Sequence, residues 1–251
     1  MTASEATAPG DIAVLPLGAT EQHGPHLPFE TDTLIAEAVA SRLKTHLAGE
    51  LSVTFLPAEP VGYSVEHMDV AGTKSLTFQE AIDRWIGIGA KLAQLGTKKF
   101  VMLNAHGGNS PLMTIVATEL RVRHSMLAVA TSWTRFGYPP DIVSPAEKSI
   151  GIHGGLIETS VMLAIRPDLV DMGKARDFSS AQSRFERDFT HLRAYGPHAF
   201  GWKMSDLSLA GVTGNAAAAT ADKGERILDH AVAGLADLMR DVAKFDLSTL
   251  S

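Results

Sequence analysis

Apolar residues in this chain fall into short unbroken runs separated by longer stretches at helical spacing. Residues 11–18 (DIAVLPLG) form the first run, closed by glycine, and Leu34, Ile35, Ala38, Val39 and Leu43 then predict a helix over 33–47. A second strand is expected over 53–57. Thr77, with Glu80 three residues on, has the form of a capping box and opens a helix with Ile82, Trp85, Ile86 and Leu92 inward, stopping near Gly96. Residues 99–104 (KFVMLN) are apolar at their centre without alternation, as in a parallel strand covered on both faces. Ser110 before Pro111 predicts an N-cap and a first helical residue for a helix reaching about Arg123. A strand over 126–132, an irregular stretch over 133–152 and a helix over 156–165, ended by Pro167, come next. The last element is an amphipathic helix over 221–244 carrying Ile227, Leu228, Val232, Leu235, Leu238 and Met239 on one face. Such alternation predicts an α/β fold with a mostly parallel central sheet and helices on both faces. No linker or repeat divides residues 11–251, which are expected to form one domain behind a flexible segment at 1–10.

Composition narrows the classes. The 251 residues carry 22 Lys+Arg against 28 Asp+Glu, a formal net charge of −6, with no basic run, so the electrostatic footprint of a nucleic-acid binder is missing. With 45% hydrophobic and 20% charged residues the chain can bury a sizeable core. Cysteine is absent, which excludes disulfides, thiolate sites and a cysteine nucleophile, and leaves only His and carboxylate to hold a metal. Neither a signal-peptide pattern nor an apolar run of about 20 residues occurs, so a soluble cytoplasmic protein without a membrane partner is expected.

Three polar clusters follow predicted strands or open a helix. The first is Thr20-Glu21-Gln22-His23-Gly24-Pro25-His26, with Asp32 at the start of the next helix. In an extended segment Glu21 and His23, two apart, face the same side and can converge on one ion. The second is Asn104-Ala105-His106-Gly107-Gly108-Asn109, and the third is His153-Gly154-Gly155 followed by Glu158. Singly, each His-Gly-Gly is compatible with a surface loop, the Glu21–His23 pair with a solvated turn, and Glu158 with an anion favouring a helix N-terminus. Three such loops at one sheet edge point instead to a site. With His and carboxylate as donors, the ions expected are Zn²⁺, Mn²⁺ or Fe²⁺. Glu21, His23, Asp32, His106 and Glu158 suffice for two ions bridged by Asp32. Two such cations about 3.5–4 Å apart lower the pKa of a shared water and polarise a carbonyl.

At these residues the chain resembles the creatininase family of metal-dependent amidohydrolases. The blocks LPLGATEQHGPHLPFETD (15–32), LNAHGGN (103–109), HGGLIETSVMLAIRPDLVD (153–171) and TADKGERIL (220–228) fall in the family's order. The resemblance implies a three-layer α/β/α domain, a binuclear centre and a homo-oligomer, commonly a hexamer. It makes Glu21, Asp32 and His106 ligands of one ion and His23 with Asp32 ligands of the other. Creatininase itself completes the second shell with a glutamate where this chain has Gly108, so either Glu158 or water is expected to take that place. It also has a tyrosine at the position of Gly107 and a Trp-Asp-Ile-Glu stretch where this chain has Ser149-Ile150-Gly151-Ile152, while Trp133 matches an active-site tryptophan. Creatinine is therefore not the expected substrate.

The expected activity is hydrolysis of a small amide, open or cyclic, with His153 carrying a proton to the leaving nitrogen; a core histidine bonded to backbone is the other reading of His153. Trp133, Gly107, Gly108 and His67 are the expected substrate contacts. The loop 62–73, which contains His67, either borders the site or is a glycine-held surface loop. The stretch 133–138 is expected to be exposed, as an interface or a lid. A formamide deformylase or a peptidase of the mycofactocin-maturation type is the alternative within hydrolases, and a non-catalytic metal-binding homologue the alternative outside them.

Overall fold

The computed structural model describes residues 10–250; the expected flexible segment at 1–10 lies, apart from Gly10, outside the described residues. In chain order the elements are β1 (Ile12–Leu17), α1 (Thr31–His46), β2 (Val53–Phe55), α2 (Phe78–Gln94), β3 (Lys99–Asn104), α3 (Ser110–His124) and β4 (Leu127–Ser132). They continue with α4 (Pro145–Ile150), α5 (Leu156–Ile165), β5 (Asp177–Phe178), α6 (Gln182–Asp188), α7 (Met204–Leu207), β6 (Gly214–Asn215) and α8 (Ala221–Lys244). The main sheet is parallel throughout, in the order β2-β1-β3-β4.

Strand alternation sorts the core into two layers. Ile12 and Val14 of β1, with Val101 and Leu103 of β3, pack with α1, α5 and α8 on one face. Ala13, Leu15 and Leu17, with Phe100 and Met102, pack with Trp85 of α2 and Val116 and Leu120 of α3 on the other. This is the three-layer α/β/α arrangement. It explains why β1 and β3 lack a polar face, since both sides of each are covered.

Pro16 stands within a central strand, where a missing N–H usually breaks the ladder. Here β2 has already ended at Phe55, and the Pro16 carbonyl still accepts from Glu59 N at 3.0 Å. The proline therefore falls where the neighbouring strand has turned away.

The capping box at Thr77 forms as expected: Glu80 N donates to Thr77 Oγ1 at 3.2 Å and Thr77 N to Glu80 Oε2 at 2.8 Å. The cap expected at Ser110 does not. Ser110 is already helical, and Asn109 stands at the N-cap position with its side chain committed elsewhere, to Tyr63 N, Gly18 O and Asn104 Oδ1. The stretch 133–152, expected to be irregular, contains a 3₁₀ turn at Trp133–Phe136 and the short helix α4. Nor is 133–138 an exposed strip: Trp133 is 2% exposed and packs in the core, with Phe136 and Tyr138 against it. No helix among the described residues is long and apolar enough to cross a membrane.

The order β2-β1-β3 makes the chain leave β1 and β3 in opposite directions. This places between their carboxyl ends a switch point, the crevice position at which α/β sheets take ligands. The loops after β1 and β3 carry the first two polar clusters, and the N-terminus of α5 brings the third to the same place.

Candidate metal centre

Asp32 is the meeting point. It is the second residue of α1, where the helix dipole favours an anion. Its loop is closed by the Glu21 N to Phe29 O bond (3.0 Å) and by Thr33 Oγ1 donating to Ala19 O (3.1 Å). Gly24, at φ +75° with Val212 against the position a Cβ would take, allows the sharp turn between His23 and Asp32. Asp32 Oδ1 lies 3.2 Å from His23 Nε2, and Oδ2 lies 3.3 Å from His106 Nδ1. Glu21 Oε1 lies 3.1 Å from His106 Nδ1, 3.5 Å from His67 Nε2 and 3.6 Å from His153 Nδ1.

Backbone groups set the ring orientations. His23 Nδ1 donates to Glu21 O at 3.0 Å, which leaves Nε2 turned to Asp32 and to Glu158, 3.8 Å away. His106 Nε2 donates to Tyr63 O at 2.9 Å with Ser64 Oγ at 3.2 Å, leaving Nδ1 turned to Glu21 and Asp32. A hydrogen bond on one ring nitrogen that frees the other is how proteins orient histidine ligands. Asn104 holds the His106 backbone by accepting from its N–H at 3.1 Å.

These groups are out of water: Glu21 is 0% and Asp32 1% exposed, yet both oxygens of Glu21 and Oδ2 of Asp32 accept no hydrogen bond among the described residues. Buried carboxylate oxygens without donors are costly unless a cation faces them. Burial would raise the Glu21 carboxyl, but His106, His67 and His153 together hold it well below the usual carboxylate range. Burial likewise opposes charge on His23, and Asp32 with Glu158 and Glu21 overcomes it, pushing His23 up to about 10. His106 is raised well above its ordinary value in the same way by Glu21 and Asp32. Both rings therefore favour the charged form when no cation faces them. Glu21, Asp32 and His106 form one set of mutually close donors, and His23, Asp32 and Glu158 another, joined through Asp32. The residues fit a two-ion centre.

His153 differs. Its Nε2 donates to Gln22 O at 2.7 Å, its ring lies 4.2 Å from that of His23 and 4.4 Å from that of His67, and burial with these two neighbours holds it well below its ordinary value. Glu158 accepts from Gly154 N at 2.6 Å, and burial pushes it up to about 7, with Asp32 adding and His23 opposing.

Residues 1–239 match the creatininase family, described as creatinine amidohydrolase. The chain belongs to the creatininase family. It is 31% identical over 236 residues to a mycofactocin precursor peptide peptidase of Mycolicibacterium smegmatis, covering 91% of this chain and 84% of that protein. To a creatinine amidohydrolase of Pseudomonas putida it is 29% identical over 253 residues, covering 93% and 91%. A solved structure described as creatininase with Mn superposes with a TM-score of 0.73 at 27% identity, covering 92% of this chain and 90% of that one.

This creatininase-family site gathers Glu21, His23, Asp32, His106, His153 and Glu158, together with His67, expected as a substrate contact and 1% exposed. Loop 62–73 therefore borders the site through its 3₁₀ turn, Val65–His67. Gly107 has open space where a side chain would start, whereas a Cβ on Gly108 would meet Tyr63 O, His106 and the carboxylate of Glu66. Trp133 belongs to the apolar core beside the site. Glu66 is a site residue that the sequence pattern did not single out. Its Oε1 is 3.5 Å from His106 Nε2, and its place next to His67 in a glycine-bounded loop was the available signal.

Proposed function

We propose that the chain is a metal-dependent amidohydrolase that cleaves a C–N amide bond at a two-ion centre. The observation that carries this reading is Asp32 set between His23 and His106, with the buried oxygens of Glu21 lacking donors. Glu21, Asp32 and His106 would hold one ion, and His23, Asp32 and Glu158 the other. Two divalent cations (Zn, Mn or Fe) held there would supply an activated water and polarisation of the scissile carbonyl.

The chain's own groups do the rest. His153 is held neutral by burial beside His23, with Nε2–H committed to Gln22 O, so Nδ1 is the nitrogen free to take a proton and return it to the leaving amine. His67, with its ring tilted against that of His153 and Nδ1 unpartnered, offers a contact to the substrate, and Gly107 and Gly108 leave the wall beside His106 without side chains. The small-amide reading is the first arm. A peptide substrate is the second, favoured by the resemblance to the mycofactocin precursor peptide peptidase and by the open space at Gly107. A homo-oligomer is part of the proposal.

The test is reconstitution of metal-free protein with Mn²⁺ or Zn²⁺, metal counting by plasma mass spectrometry, and assay on creatinine, an N-formyl amine and a short peptide series. Two ions per chain and turnover of one compound class support the reading. Less than one ion per chain, or full activity in metal-free Asp32→Asn, overturns it.

A further inference from the structure

Ser144, Pro145 and Glu147 open α4 in the pattern of a capping box, in which the glutamate would reach back to the N–H of Ser144. Only half of it forms. Ser144 Oγ accepts from Glu147 N at 3.1 Å, but the Glu147 carboxylate turns away from its own helix. Its Oε1 accepts from Leu156 N, the first residue of α5, at 3.0 Å, and Oε1 and Oε2 accept from Asn215 N at 3.2 and 3.0 Å. Three glycines make room for it. A Cβ on Gly155 would lie 2.8 Å from Oε1 and one on Gly214 2.5 Å from it, and one on Gly151 would be closer still.

These contacts surround His153 without touching it. Gly151 and Gly155 lie two residues before and after it, and its backbone pairs with Thr213, whose N–H donates to His153 O at 2.9 Å. The turn bearing His153, the strand β6 that directly follows its partner Thr213, and the N-terminus of α5 thus converge on one carboxylate. One side chain that accepts from backbone N–H groups of two different elements ties both to a single point.

We propose that Glu147 is the positioning residue for His153: it holds the 151–155 turn against Gly214–Asn215 so that the imidazole meets Gln22 O and faces Glu21. This rests on the reading of His153 as the proton carrier. Small errors of placement are costly in rate while leaving binding intact, because the reacting atoms must already be in range when the barrier is crossed.

The experiment is a double-mutant cycle in the metal-loaded full chain: Glu147→Gln, His153→Ala and the pair, assayed on whichever compound of the panel above is turned over fastest. Glu147→Gln should lower kcat by about 10- to 100-fold, with KM and ion content unchanged. In the His153→Ala background the same change should have no further effect on kcat. If the two losses multiply, Glu147 acts on the fold at large and the proposal is overturned. If His153→Ala leaves kcat intact, the proton-carrier reading itself fails, a distinct outcome, and the proposal falls with it. Should Glu147→Gln not fold by circular dichroism, Glu147→Asp, which keeps the charge on a shorter arm, replaces it in the same cycle with the same criteria.

Discussion

His106-Gly107-Gly108 and His153-Gly154-Gly155 are the same tripeptide at the same crevice, and they do opposite things. The first follows a strand, turns its Nδ1 toward two carboxylates and is driven toward the charged form by Glu21 and Asp32. The second precedes a helix, is bonded to backbone through Nε2 and stays neutral between two other imidazoles. Even the glycines differ: Gly154 is left-handed at φ +67°, whereas Gly107 begins a right-handed 3₁₀ turn with free space around it. One motif thus meets carboxylates or imidazoles according to what the fold brings to its ring, and the proposed roles of ligand and proton carrier rest on that difference.

The largest expected effect comes from removing the residue that both proposed ions would share. Asp32→Asn should reduce bound metal from two ions to less than one per chain, by mass spectrometry, and amide turnover by at least about 10³-fold, as for loss of one member of a catalytic unit. Next is the contrast itself. His106→Ala should lose metal, whereas His153→Ala should retain both ions and lose about 10²- to 10⁴-fold in kcat, the usual worth of a proton-transfer group. Equal metal loss in the two variants would break the distinction between the two histidines.

The two kinds of histidine also predict opposite pH limbs in the metal-free protein. His23, raised from 6.5 to about 10, contributes stability that is fully present below pH 6.5 and is lost as pH rises toward 10. His26, lowered to about 4 chiefly by burial, behaves in the reverse sense: the unfolded chain binds its proton first, so stability falls as pH drops from 6.5 toward 4. His153 shares that acid limb. Melting temperature without metal should therefore decline on the acid side through His26 and His153 and on the alkaline side through His23 and His106, and His23→Gln should shrink the alkaline limb. An unchanged alkaline limb in that variant would count against the Asp32–His23 pair.

The smallest effect concerns the glycines. Gly154→Ala places a side chain in the left-handed region with its Cβ 2.6 Å from Val212, and should cost about 1–3 kcal/mol in a denaturant titration. Gly107→Ala should stay within about 0.5 kcal/mol.

Much of the site is legible in the amino-acid sequence because its ligands sit close together in the chain, just after strands whose apolar runs are unmistakable. Glu21, His23 and Asp32 are separated only by a glycine-proline turn, and Glu158 falls in the first turn of a helix opened by glycines. Glu66 and Glu147 are not legible in this way. Their carboxylates reach groups 40 and 68 positions away, His106 and Asn215, and a long side chain on a loop or short helix carries no periodic signal. Ser110 misleads for a related reason: the local cap pattern is sound, but Asn109 is drawn off by the loops around Tyr63 and Gly18. Trp133 and its neighbours, expected at the surface, are covered by the core that includes α8.

By itself, then, the amino-acid sequence determined the alternation of strands and helices, the membership of the creatininase family, and a donor set restricted to His and carboxylate by the absence of cysteine. Periodicity and composition are local properties, and they survive without the fold. Only the tertiary structure decided which nitrogen of each histidine faces the crevice, which His-Gly-Gly is charged and which neutral, and that Glu147 leaves its own helix cap for the His153 turn. Ring orientation, desolvation and ion pairing depend on groups far apart in the chain, so they come into being only when β1, β3 and α5 bring their ends together.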